Sequence, residues 1–178
     1  MNMRSDDGFT LPELMVAVVI LGIIAGAITG AIITGLKVTD GTAERVKEST
    51  DAQLASAYFA GDMQSSTAVI PAVHPVCGVP AGAAAVVSFS WEDPTDPAVP
   101  RVATWFTQTV DGERHLSRRY CEGVGGYTVT VSRSLAGAGP DLQCPGGCTG
   151  TPRRASMVVT ETSGYTFRLA GTRRSATT

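Results

Sequence analysis

The feature that most constrains this chain is a long apolar segment with no ionisable side chain between Leu14 and Leu36. A segment of that length can cross a bilayer as a single helix. One acidic residue, Glu13, lies directly before it. A charge at the centre of a membrane helix costs about 2.5–3.5 kcal/mol on insertion scales, and less near the interface. The pattern therefore predicts a membrane helix whose Glu13 requires a cationic partner.

The chain offers few candidates for that partner. No Lys or Arg lies within two helical turns of Glu13. The nearest cation that the chain could supply is a new amino terminus, which cleavage just before Phe9 would create. The sequence thus directs attention to the bond between Gly8 and Phe9.

The string Gly8-Phe9-Thr10-Leu11-Pro12-Glu13, followed by the apolar run, resembles the processing and assembly signal of type IV pilins and type II secretion pseudopilins. The resemblance implies that prepilin peptidase, a membrane aspartyl peptidase, cleaves after Gly8. It also implies that the new terminus at Phe9 becomes N-methylated. Glu13 would then pair with the terminal amine of a neighbouring subunit during filament assembly.

The same resemblance implies a set of partners and a location. The partners are prepilin peptidase, other pilin or pseudopilin subunits, an assembly-platform membrane protein with its ATPase, and membrane lipid. The protein would cross the cytoplasmic membrane once, with an extracytoplasmic head, and would reach the cell surface in a filament. Family precedent decides this orientation, because the leader carries Arg4 together with Asp6 and Asp7 and so encodes little positive-inside bias.

Other interpretations of the N-terminus compete with this one. Ala25-Gly26-Ala27 is typical of a secretory signal-peptide cleavage site, although the apolar run continues to Leu36. If the helix is a plain membrane anchor, Glu13 is an interfacial residue whose side chain reaches toward water. The corresponding alternative function is a membrane-tethered extracytoplasmic binding module, for DNA or a cell-wall ligand, that does not polymerise.

Four regions follow from these patterns. They are a leader (1–8), a transmembrane and assembly helix (9–36), an amphipathic continuation of that helix (37–66) and an extracytoplasmic β-rich head (67–178). The glycines Gly22, Gly26 and Gly30 form a small-xxx-small series that favours close helix packing. No Ser-, Gly- or Pro-rich linker follows Leu36, which favours one continuous helix from about Thr10 to Ser66.

The head reads as a succession of strands. Asp111-Gly112 is a hairpin signal, and Ser163-Gly164 predicts a second turn. Strands joined by tight turns predict an antiparallel sheet, and packing on the second half of the helix gives an α+β, pilin-like fold. The first hairpin also loosely resembles J-type minor pseudopilins. The predicted strands cover 84–91, 102–110, 114–120, 126–132, 157–162 and 165–169.

An even number of cysteines in an exported domain predicts disulfides, with three connectivities open. Cys144 and Cys148 could close locally across Pro-Gly-Gly, which would leave Cys77 with Cys121. The other two connectivities remain open. A zinc site is the competing interpretation, but the chain lacks two C-x2-C knuckles.

Other chemistry is weakly encoded. The two histidines, His74 and His115, belong to no nucleophile or metal motif, and His115 is predicted at the surface. Glu92, Asp93 and Asp96 could suggest a calcium loop, but Pro94 and Pro97 interrupt their spacing, which favours a solvated turn. We therefore expect neither an enzyme nor a cofactor or metal, but a minor, tip-proximal structural subunit.

Arginines are numerous in the head and could form a basic face for DNA. The formal net charge of the whole chain is -2. Such a balance does not imply a strong electrostatic partner, so nucleic acid is the less favoured ligand. The arginines in question are Arg114, Arg118, Arg119, Arg153, Arg154, Arg173 and Arg174.

Overall fold

The computed structural model describes residues 10–93, 96–97, 99–123, 125–137 and 139–174. The chain divides into two compact units, with the division between Val46 and Lys47. A single helix, α1 (Leu11–Ser65), contributes to both units. This confirms the expected long N-terminal helix, with bounds one residue inside those predicted at each end.

In the first unit, α1 exposes its apolar side chains. Its most apolar 18-residue window has a mean hydropathy of 2.7, and none of that window is buried. By length and composition the helix could cross a membrane. Thr29 and Thr34 donate their hydroxyl hydrogen bonds to the carbonyls of Ala25 and Gly30, at 2.8 and 3.0 Å. These hydroxyls are satisfied by the helix itself, as an apolar medium requires.

In the described residues of the second unit, the last turns of α1 precede eight antiparallel strands in two sheets. One sheet has the order β1-β2-β3-β4-β5 and the other the order β6-β7-β8. The strands are β1 (Ala68–Ile70), β2 (Ala84–Glu92), β3 (Pro100–Val110), β4 (Glu113–Glu122), β5 (Gly125–Ser132), β6 (Asp141–Gln143), β7 (Arg154–Thr160) and β8 (Thr166–Thr172). The α+β, pilin-like arrangement predicted from the sequence is confirmed.

The two hairpins form where the turn residues predicted them. Asp111 and Gly112 have φ angles of 53° and 85°, as a two-residue turn between β3 and β4 requires. Gly164, with φ 90°, turns the chain between β7 and β8. The strands β1 and β6 were not predicted, because three residues are too few to show an alternating pattern.

One apolar core joins the helix to both sheets. Phe59 and Met63 of α1 are fully buried. The Phe59 ring packs edge-on against Phe89 of β2 and Trp105 of β3, with centroid distances of 5.3 and 5.5 Å. Leu169 of β8 belongs to the same cluster. Edge-to-face aromatic pairs add about 0.5–1.5 kcal/mol beyond area burial.

Candidate assembly site

The start of α1 is set by local chemistry around Glu13. The Thr10 carbonyl accepts hydrogen bonds from the backbone N–H groups of Glu13 and Leu14, at 3.1 and 3.2 Å. Thr10 thus occupies the N-cap, and Thr10-Leu11-Pro12-Glu13 has the spacing of a capping box. The Thr10 hydroxyl lies 3.5 Å from the Glu13 carboxylate. Pro12 is tolerated because the first-turn N–H groups have no partner within the helix. This start signal was missed in the sequence.

The Glu13 side chain is exposed in the first turn, where the helix dipole favours a negative charge. Among residues 10–174 that the structure describes, no Lys, Arg or His lies within ion-pair distance of it. Gly8 and Phe9 lie outside the described residues, so cleavage and methylation there remain predictions. Among the described residues, no cation of the same chain would compete with an amine of another subunit for the Glu13 carboxylate.

One strip of α1 offers a close approach for another helix. A Cβ built on Gly22, Gly26 or Gly30 would meet no described heavy atom within 4 Å. Small residues at this spacing allow helix backbones to pack closely in membranes. The carboxylate and the glycine strip therefore belong to the same apolar helix.

The head is fixed to the end of α1 by a buried ion pair that was not foreseen. Asp62 and Arg118 are each 4% exposed, so Arg118 does not belong to the basic face that the arginines of the head could have formed. Asp62 accepts hydrogen bonds from Arg118 Nε at 2.7 Å, Arg118 Nη2 at 2.5 Å and Trp105 Nε1 at 2.8 Å. The guanidinium carbon lies 4.8 and 5.4 Å from the ring centroids of Tyr58 and Tyr120. Burial opposes the charge, but the hydrogen bond and charge of Asp62 raise the pKa of Arg118 overall.

Two other expectations for polar side chains need correction. Asp93, expected in a solvated turn, is 5% exposed and pairs with Arg101 at 2.7 Å. The His115 side chain, expected at the surface, is 15% exposed and lies 3.9 Å from the Glu113 carboxylate.

The head contains two disulfides. Cys77 is bonded to Cys121 and Cys144 to Cys148, with Cα–Cα distances of 5.6 and 5.0 Å. This is the pairing that the local Pro-Gly-Gly turn favoured. Within the described residues, no group of three or more His, Cys, Asp or Glu side chains could hold a metal ion.

A comparison with protein families gives a match at the N-terminus. No curated protein and no solved structure matches the chain. Residues 3–29 match the family described as the prokaryotic N-terminal methylation motif, the signature of type IV pilin and pseudopilin signals. That motif implies processing by prepilin peptidase and assembly with other pilins. The chain therefore carries a prepilin-type methylation signal on an apolar helix that fits a membrane-anchored, pilin-like protein.

Proposed function

We propose that this protein is a structural minor pilin or pseudopilin subunit of a type IV pilus or a type II secretion-like filament. The observation that carries the proposal is the match of residues 3–29 to the methylation motif. The matched residues include the start of α1, whose first turn carries Glu13. Residues 1–8 are the leader and 67–178 the extracytoplasmic head. The elaborated, disulfide-bonded head supports a tip-proximal position and a non-enzymatic role.

Assembly starts with cleavage. Before it, the Phe9 nitrogen is part of a neutral peptide bond. Hydrolysis of the Gly8–Phe9 bond leaves a carboxylate on Gly8 and a basic amine on Phe9, and methylation keeps that amine basic. Cleavage thus creates a cation four residues before Glu13.

Pairing follows between subunits. The protonated amine of one subunit binds the Glu13 carboxylate of another, while the apolar helices pack along their glycine strips. The attraction is stronger in an apolar medium than in water, although desolvation offsets part of the gain. The ion pair therefore sets the axial register, and helix packing supplies the remaining contact.

The mature N-terminus tests the proposal directly. Intact mass and N-terminal sequencing of protein from native membranes should give N-methylphenylalanine from Phe9. An intact Met1 would support the tethered binding module instead. A start at Ile28 would support simple secretion.

Glu13→Ala tests the assembly step. The variant should insert and be cleaved normally but should be absent from sheared filaments, because the amine of its neighbour has no acceptor. Glu44→Ala removes an exposed acid from the same helix and serves as the matched control. Normal incorporation of Glu13→Ala, measured by immunoblot of the filament fraction, would falsify the assembly step.

A further inference from the structure

A groove of about 670 Å³ lies within the second unit, between the last turns of α1 and the β7–β8 hairpin. Its floor consists of small residues from both sides, among them Ala60, Gly61 and Ala170. Arg154 and Arg168 also line it. Ligand sites in proteins typically have volumes of about 300–1,000 Å³, so the groove can hold a short chain segment.

The β8 strand that lines this groove is an edge strand. In the described three-stranded sheet, β8 pairs with β7 on one side only. An edge strand presents unpaired backbone N–H and C=O groups, which an extended peptide can satisfy by adding a strand. Small side chains such as Ala170 leave room for the backbone of an incoming segment.

The segment from Gly150 to Arg174, which contains β7 and β8, carries mostly positive charge. Glu161 is the only acidic residue between Gly150 and Arg174, whereas five arginines lie in the same stretch. Glu161 is buried and accepts a hydrogen bond from Ser132, so it does not offset the arginines. Arg154 and Arg168 are exposed, and no carboxylate of the described residues lies within ion-pair distance of either.

We propose that this groove binds an extended acidic segment of another pilin-type subunit, which pairs with the free edge of β8. The proposal rests on the proposed function, because it names the partner surface that filament assembly would use. Arg154 lies opposite Thr172 in the register, four positions along β8 from Arg168. That spacing is about 13 Å along the strand. The preferred segment therefore carries two acids four residues apart, on one face.

Nucleic acid fits this groove less well. Single-stranded nucleic acids are bound by aromatic rings on which bases stack, together with a basic groove. Alanine, glycine, serine, threonine, glutamine, proline and arginine make up the described lining, without an aromatic ring. An open strand edge is instead complementary to peptide backbone, and guanidinium groups bind carboxylates through paired hydrogen bonds.

Photo-crosslinking in filament-forming cells tests the proposal on the full chain. The probe, p-benzoylphenylalanine, replaces Gln64, an exposed residue of α1 that lines the groove and already has a long side chain. Thr128, an exposed residue of the edge strand β5, carries the same probe as the matched control. Mass spectrometry of the products should identify an acidic segment of a pilin-type subunit from position 64, and not from position 128.

Two variants separate charge from shape in the same assay. Arg168→Glu should lower the yield of that product about tenfold or more, since it reverses one pairing charge. Arg133→Glu makes the same charge change at an exposed site outside the groove and should leave the yield unchanged. Gly61→Leu should also abolish the product by filling the groove, because its Cβ meets no described atom within 4 Å.

The contrary outcomes are distinct. Crosslinks from position 64 to nucleic acid, lipid or a segment without acids would overturn the proposal, as would equal yields from both positions. Absence of any product while Phe9 is methylated and incorporation depends on Glu13 would refute the groove but keep the proposed function. A mature protein that does not begin at Phe9 would refute both.

Discussion

The two parts of α1 are the same kind of helix with opposite relations to their surroundings. Before Val46, large apolar side chains such as Leu21 and Ile23 are 66% and 68% exposed. After Lys47, Phe59 and Met63 are fully buried. The first part depends on a medium or partners outside the chain for its apolar surface, whereas the second is completed by the chain's own sheets. The two parts of one continuous helix therefore depend on different surroundings to cover their apolar side chains.

Polar groups show the same contrast. In the first unit, threonine hydroxyls return to carbonyls four residues earlier, so each hydrogen bond is local. In the second unit, Ser88 Oγ donates to the Ala72 carbonyl at 2.7 Å and lies 2.9 Å from Thr104 Oγ1. Because the hydrogen bonds of the head join distant residues, a single substitution there can disrupt several elements. The hydrogen bonds of the first unit are local, so disruption of the head should leave cleavage at the N-terminus unaffected.

The largest expected effect comes from Asp62→Ala. The substitution leaves the buried Arg118 guanidinium without its counterion, which should cost about 3–5 kcal/mol of the free energy of unfolding. Denaturant unfolding of the full-length protein in detergent, followed by tryptophan fluorescence, measures it, because the buried Trp105 donates to Asp62. The double variant Asp62→Leu with Arg118→Met should recover most of the loss. Equal losses in single and double variants would contradict an origin in the unpaired charge.

The two disulfides should differ in their contributions. Their sequence separations are 44 and 4 residues. In the chain-entropy picture, replacing Cys77 and Cys121 by serine costs about 4 kcal/mol, against about 2 kcal/mol for Cys144 and Cys148. The same unfolding assay compares the two double-serine variants. A larger loss from the short loop would mean that native contacts, not loop closure, decide the difference.

Gly171→Ala should destabilise the head through a steric clash. A Cβ at this position would lie 2.5 Å from Met63 Cβ, so α1 and β8 must separate. Overpacking of this kind typically costs about 1–3 kcal/mol. Gly61→Ala is the matched control, since its Cβ meets no described atom within 4 Å and alanine favours the helix. Similar stability of the two variants would show that the contact between helix and strand relaxes freely.

These differences explain how far the sequence could predict the fold. The apolar run and the absence of a linker after Leu36 specified α1, and Asp111-Gly112 and Ser163-Gly164 located two hairpins, because such signals are local. The prepilin-type signal is also local, and it was readable from Gly8 to Glu13. The partition of the strands into two sheets, by contrast, depends on contacts between distant residues.

The ion pairs of the head were not predictable for the same reason. Asp62 and Arg118 are separated by 56 positions, and each alone looks like an ordinary surface charge. Arg153, Arg154, Arg173 and Arg174 were named as part of a possible basic face, but Arg168 and the groove that it lines with Arg154 were not, because strand pairing brings those two residues together. The capping box at Thr10 and Glu13 was visible and overlooked.

The smallest expected effect concerns Glu161, whose carboxyl group is buried at the turn between β7 and β8. Burial raises the pKa of Glu161, and the nearby charges of Asp51 and Glu48 raise it further, while Ser132 and Lys47 lower it. The folded state therefore retains a proton that the unfolded state has already lost as the pH rises above about 4.5. By linkage, the free energy of unfolding falls as the pH rises through this window.

Glu161→Gln should remove that loss while keeping an acceptor for the Ser132 hydroxyl. Relative to the unsubstituted protein, its Tm should be equal near pH 4 and higher by about 2–4 °C at pH 8. Ser132→Ala should act in the opposite direction, since it removes a hydrogen bond that favours the ionised carboxylate. Thermal unfolding of the full-length protein by circular dichroism across this pH range measures both. A pH dependence that persists unchanged in Glu161→Gln would assign it to other carboxylates of the head.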